Sequence, residues 1–160
     1  MAPVNANLVR ANPVPANLVH ATCVAVDGVG VLIRGTPGSG KSDLALRLID
    51  GGAVLVADDY CEVAVGADGS LSAAAPSAIA GRIEMRGFGL VRLPHAPSAR
   101  IGLVVDLCRN EEIDRLPERT TTQLHDRAVP WMRLDAFAAS AAAKVRFAVR
   151  AIREGQTGES

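Results

Sequence analysis

The 160-residue chain suits one domain, and its 49% hydrophobic content is ample for a core that, with only 3% aromatics, Val, Leu, Ala and Ile must fill. Seventeen basic residues balance seventeen acidic ones, which argues against a broad nucleic-acid or membrane-surface role and leaves a local patch for any macromolecular partner. Cys23, Cys61 and Cys108 are odd in number, far apart and without metal-ligand spacing, so they read as reduced thiols of a cytoplasmic protein. The start of the chain lacks a signal-type pattern, and no apolar run approaches the roughly 18 residues that span a membrane.

Residues 1–15 are rich in Pro, Asn and Ala and read as a flexible arm. The hexamer Ala6–Ala11 recurs as Ala16–Ala21 with one change, too little for a repeat architecture. Thr22–Val26 is strand-like, Asp27-Gly28 is a hairpin turn signal, and Gly30–Arg34 returns as a second strand. A glycine loop follows, then the helical pattern that opens at Asp43 and ends at Gly51-Gly52. Ala53–Ala57 is a buried strand that closes on Asp58-Asp59, and Tyr60–Val65 alternates as another. Residues 73–81, rich in Ala, Pro and Ser, are expected to be an irregular connection. Ile83–Val91 places an acid, a base and two glycines in an apolar stretch, a bulged strand with Glu84 and Arg86 toward solvent on physics alone. Ile101–Leu107 is a core strand, Arg109–Arg127 a charged surface loop, and Val129–Met132 a short strand or docking turn. From Asp135, a candidate N-cap, to Arg153 an Ala-rich stretch favours helix, and residues 154–160 read as a disordered tail.

The loop carries the chemistry. Gly35-Thr36-Pro37-Gly38-Ser39-Gly40-Lys41-Ser42 has the form G-x-x-x-x-G-K-[ST], between a strand and a helix, as a phosphate-binding loop requires. The glycines let successive N–H groups turn inward around a polyphosphate, and the helix start adds its positive dipole end. Lys41 can reach the terminal phosphates, and the Ser42 hydroxyl is placed to hold Mg²⁺. An apolar strand ending in acids after such a loop puts a carboxylate near the metal or the attacking hydroxyl. Adjacent strand residues point to opposite faces, so side-chain direction decides between Asp58 and Asp59.

Four features then converge. His20 precedes Gly35 by fifteen residues, Leu55-Val56-Ala57-Asp58-Asp59 closes a strand, Glu84-Met85-Arg86-Gly87-Phe88-Gly89 follows, and Asp114-Arg115-Leu116 comes after the next core strand. In these the chain resembles the catalytic domain of the HPr kinase/phosphorylase family, especially its short bacterial form without the extra N-terminal domain, from about Asn17 to Arg153. The resemblance implies an α/β fold: a single P-loop kinase domain over 16–153, with a mixed β-sheet and flanking helices of the phosphoenolpyruvate-carboxykinase-like kind. It implies an ATP- and Mg²⁺-dependent protein-serine kinase acting on HPr or an HPr-like phosphocarrier of the phosphotransferase system, in the regulation of carbon metabolism. Gly35 to Ser42 would hold the nucleotide, with Ser42 and Glu84 on the metal. Asp59, beside Asp58, would be the base, and His20, Lys41 and Arg115 would complete the catalytic set. It also implies assembly as a homo-oligomer, a hexamer in larger members, and a reverse, phosphorolytic reaction. Longer members tie that reaction to a basic Pro- and Gly-containing loop before the last helix. Here the corresponding stretch is Val129–Arg133, where only Pro130 and Arg133 compare. Two other readings stand beside this one: a small-molecule P-loop kinase, for whose lid and base-recognition segments the chain leaves little room, and a nucleotide-sensing module without catalysis.

Overall fold

A computed structural model describes residues 17–156. The expected arm over 1–15 and the tail beyond Gln156 lie outside the described residues. The strands are β1 (Leu18–Val19), β2 (Thr22–Val26), β3 (Val29–Arg34), β4 (Val54–Ala57), β5 (Cys61–Val65), β6 (Leu71–Ala74), β7 (Arg82–Met85), β8 (Gly89–Arg92), β9 (Ala99–Leu107), β10 (Thr121–Leu124) and β11 (Arg127–Leu134). Among the described residues two α-helices, α1 (Lys41–Asp50) and α2 (Ala141–Arg153), accompany them. No helix among the described residues is long and apolar enough to cross a membrane.

β2 and β3 form the expected antiparallel pair, in register from Thr22 opposite Ile33 to Val26 opposite Val29. β9 lies parallel to β3, and β11 parallel to β9. On the other side of β3 the order continues to β2 and then β4. The start of β9 also pairs with β6, from which β5 and β1 extend the sheet. β3, β4, β9 and β11 therefore run one way, and the segments that leave their C-terminal ends all emerge at one edge. In open α/β sheets that edge is where ligands bind.

The central strands are apolar on both faces because both are covered. On one face Val31, Ile33, Leu103 and Val105 pack against Leu44 and Leu48 of α1 and Val145 and Val149 of α2. On the other, Leu32 and Val104 meet Val63, Leu71, Leu124 and Val129 from the strands that curl beneath. α1 buries Leu44, Ala45 and Leu48, one helical stripe, and its end is closed by the Gly51 N–H on the Arg47 carbonyl at 3.2 Å.

Four segments differ from the sequence-based reading. Ala73 and Ala74 belong to β6, because a buried alanine lets that strand lie close in the second core cluster. Residues 82–92 are not one bulged strand but a hairpin, turned at Arg86-Gly87-Phe88, with Ile83 opposite Val91 facing the core and Glu84 opposite Leu90. Within the charged stretch 109–127, β10 pairs with β11 and buries Leu124; one apolar anchor among Thr and Gln was too weak a signal. α2 begins at Ala141, since Asp135 accepts the Phe137 N–H at 2.9 Å and holds 135–140 as turns.

One cluster fixes the strand ends at that edge. Asp106 of β9 takes the Arg34 guanidinium through both oxygens, at 2.7 and 2.8 Å, and accepts from the Trp131 indole of β11 at 2.7 Å. Arg119 stacks on the same indole, 3.9 Å from its centroid. Burial pushes the Asp106 carboxyl up, but the bonds from Arg34 and Trp131 and the nearby cationic charge outweigh it and hold its pKa below the ordinary value. A depressed carboxylate contributes stability above its unfolded pKa of ~4 and loses it as pH falls through the folded value. Asp106→Ala should therefore lower stability by about 2 kcal/mol at pH 7. In urea titrations that deficit should shrink steadily below pH ~4.

Candidate functional site

Along this edge the glycine loop leaves β3, Asp58-Asp59 leave β4, and His20 stands just ahead of β2. The tip of the β7–β8 hairpin packs beside α1 and closes the far wall. Between them lies a cleft of about 450 Å³, whose lining includes His20, Lys41, Ser42, Asp59, Glu84 and Arg86.

The loop's sequence is demanded by its packing. Gly40 caps α1 at a φ of 99°, and a Cβ there would come within 2.8 Å of the Ala136 Cβ and 3.1 Å of the Phe137 ring. A Cβ at Gly35 would run into the Ser39 side chain. Only glycine lets the loop close this tightly. Lys41 is almost fully buried, and its ammonium donates to the carbonyls of Gly35 at 2.8 Å and Thr36 at 3.2 Å. That fixes a positive charge at the floor of the cleft and leaves a third N–H for a ligand.

The two adjacent aspartates have opposite surroundings. Asp58 is buried; its Oδ1 accepts from Ser42 Oγ at 2.7 Å and from Thr22 Oγ1 at 3.0 Å, and its Oδ2 from the Glu84 N–H at 3.4 Å. Asp59 takes a left-handed φ of 74°, which turns its side chain out into the cleft, and its N–H donates to Thr22 Oγ1 at 3.2 Å. His20 Nε2 lies 3.0 Å from Asp59 Oδ1. An ionised carboxylate only accepts, so in this pair Nε2 is the donor. The His20 ring also rests on Tyr60, with centroids 5.0 Å apart.

Of the residues singled out from the sequence, His20, Pro37, Gly38, Gly40, Lys41, Ser42, Asp59 and Glu84 line this cleft. Thr36 and Ser39 face a second cavity on the other side of the loop, and Asp58 lies beneath as a support. Arg115 lines neither cavity and is exposed in the segment after β9. Sequence reasoning missed Thr22, Arg86 and Phe137. Thr22 is fully buried, yet at the head of an apolar strand a β-branched residue raises no flag. Arg86 and Glu84 are exposed, as the solvent-face reading has it, and the solvent they face is that of the open cleft. Cys23 and Cys61 are free and buried; burial, then the charge of Asp58, pushes the Cys61 thiol up to about 12, so it is inert.

Residues 14–158 match the family model of the HPr serine kinase C-terminal domain. The chain belongs to that family. It is 39% identical over 120 residues to the HPr kinase/phosphorylase of Geobacillus sp. (strain WCH70), covering 69% of this chain and 39% of that protein. Over 119 residues it is 38% identical to the HPr kinase/phosphorylase of Bordetella pertussis, covering 68% and 39%. It thus spans about two fifths of the length of these curated relatives. Among solved structures, the Hpr(Ser) kinase/phosphatase from Coxiella burnetii superposes with a TM-score of 0.75 at 26% identity, over 86% of this chain and 97% of that one. The mixed sheet and two helices are the α/β kinase fold of this HPr kinase family.

Thr22 gives the site a direct test. Thr22→Val keeps the shape but leaves the Asp59 N–H without its acceptor and takes one donor from buried Asp58. It should cost about 1–3 kcal/mol in urea unfolding, well above an ordinary surface substitution.

Proposed function

We propose that this domain, over residues 16–153, transfers the terminal phosphoryl group of ATP to a serine hydroxyl of HPr or an HPr-like phosphocarrier. The observation that carries this is the outward-turned Asp59, oriented by His20 and facing Lys41 and Ser42 across one cleft. The hydroxyl oxygen attacks the terminal phosphorus, its proton passes to Asp59, and the bond to the bridging oxygen breaks to release ADP. Little covalent chemistry falls to the protein, so positioning and charge do most of the work. Lys41 bears on the phosphates. Arg86, on the opposite wall and without an ion-pair partner among the described residues, supplies the second cation of the cleft. Arg115, assigned to the catalytic set by resemblance, is exposed outside the cleft, and this step gives it no part.

The donor set fits Mg²⁺. No group of three or more His, Cys, Asp or Glu among the described residues could hold a metal alone. Mg²⁺ is characteristically held by one or two protein oxygens plus substrate phosphates. Ser42 and Glu84 offer those oxygens, with Asp58 bonded to Ser42 at 2.7 Å to orient it. When bound there, the ion would neutralise charge on the phosphates.

The kinase direction is favoured over phosphorolysis by one feature. Residues 129–133, which would correspond to the loop of longer members, lie within β11, paired with β9 and β10 rather than free to move. Assembly as a homo-oligomer and a cytoplasmic location remain parts of this proposal.

The test is the intact mass of a purified HPr-type phosphocarrier after incubation with this protein, ATP and Mg²⁺. One phosphoryl group should appear on a serine. Asp59→Asn should cut the rate by about 10²–10⁴-fold while ATP still binds, as loss of a general base does. Retention of full transfer by that variant would remove Asp59 from the role. A small-molecule kinase or a pure nucleotide sensor would bind ATP and leave the carrier's mass unchanged.

A further inference from the structure

A second cavity, of about 580 Å³, adjoins the glycine loop on the side away from β4. It is walled by Thr36 and Ser39 of the loop, Leu107 and Cys108 at the end of β9, and Asp135 and Phe137 after β11. Pro37, Gly38 and Phe137 line both cavities, so one elongated ligand lying across the loop would enter both. We propose that the second cavity takes the nucleoside of the triphosphate, with its base against the Phe137 ring. This rests on the nucleotide reading of the loop.

Strand order sets the polarity. Asp59 and Glu84, which the reacting phosphate must meet, stand on the β2–β4 side of the loop, so the nucleoside end must leave toward β9 and β11. The carboxylates on that side are already engaged. Asp135 accepts from the Asn110 and Phe137 N–H groups at 3.1 and 2.9 Å, and Glu112 from the Arg109 N–H at 2.9 Å. They shape the wall and are not aimed at a metal. Ser39 Oγ is buried without a partner among the described residues and packs against Gly35 inside the loop, so it shapes this wall without being aimed at a ligand. Phe137 is 68% exposed although its backbone is pinned by Asp135 and its ring rests over Gly40. A large aromatic exposed at the rim of the loop contributes little to the core, but it is a ready stacking platform for a base.

Cys108 is a built-in reporter, half-exposed in this cavity while Cys23 and Cys61 are buried. Burial raises its thiol pKa, so alkylation by iodoacetamide is best followed at about pH 8.5, by peptide mass spectrometry of the full chain. ATP should slow modification of Cys108 at least fivefold, and inorganic tripolyphosphate at saturating concentration should not. In parallel, Phe137→Ala should weaken ATP binding about tenfold and leave tripolyphosphate affinity within twofold. Equal protection by both ligands, no protection by bound ATP, or an equal loss of both affinities in the variant would overturn the nucleoside site alone. Failure of the unmodified protein to bind ATP at all would overturn the nucleotide reading together with it.

Discussion

The carboxylate of Asp58 is the constraint on which the site depends. A buried carboxylate is costly unless its oxygens are hydrogen-bonded, and here the donors come from three separate stretches of chain: Thr22 at the head of β2, Ser42 in the first turn of α1, and the Glu84 backbone in the hairpin. Satisfying one side chain therefore fixes the glycine loop, the His20 segment and the hairpin relative to one another. The neighbouring Asp59 is the other half of that arrangement. Its left-handed backbone, a conformation that costs a non-glycine residue about 1–3 kcal/mol, is held by Thr22 on its amide and His20 on its carboxylate. One aspartate builds the floor and the next is turned out into the cleft.

The antiparallel β2 makes this possible. β3 and β4 run the same way but are not neighbours; β2 lies between them in the opposite sense. Its first residue, Thr22, consequently sits at the same edge as the last residues of β3 and β4. It bridges the gap that the inserted strand opens between loop and acids. A β2 running parallel to its neighbours would bring Val26 to that edge, and Asp58 would lose a buried donor. On the far side of β3 the edge is fixed differently, by Arg34, Asp106 and Trp131 bonding across three neighbouring strands. The loop is thus anchored from both flanks, by a neutral hydroxyl bridge on one and a charged cluster on the other.

Much of this was legible in the sequence wherever a local rule and a tertiary need coincided. The Asp27-Gly28 hairpin, the loop between strand and helix, the apolar strand ending in two acids and the core strand of β9 each follow from turn chemistry or continuous apolar character. Reading failed where the tertiary structure alone supplied the reason. β10 carries a single buried leucine in a charged stretch, and the hairpin at 82–92 is defined by which residues face each other across it. The roles of Asp58 and Asp59 could not be separated by spacing, since they follow from a backbone angle. Arg86 and Phe137 belong to non-contiguous segments that meet only after folding, so no motif joins them to the loop.

A chain with no net charge can still hold a polyphosphate, because the relevant balance is that of the cleft. Its walls and floor bring four carboxylates, Asp43, Asp58, Asp59 and Glu84, against two permanent cations, Lys41 and Arg86, with Asp43 already paired to Arg47 of the same helix. A nucleotide entering this space adds further negative charge to a site that already holds an excess of it. Lys41 offsets only one unit of that charge, and Arg86 is the one further permanent cation among the described residues lining the cleft. On the proposed reading the remaining neutralisation has to arrive with the substrate, as a cation already bound to the phosphates. The acids then serve that incoming cation as anchors while Asp59 stays free for the hydroxyl proton. On that reading, the absence among the described residues of a carboxylate group able to trap a metal alone is compatible with a cation that arrives on the phosphates.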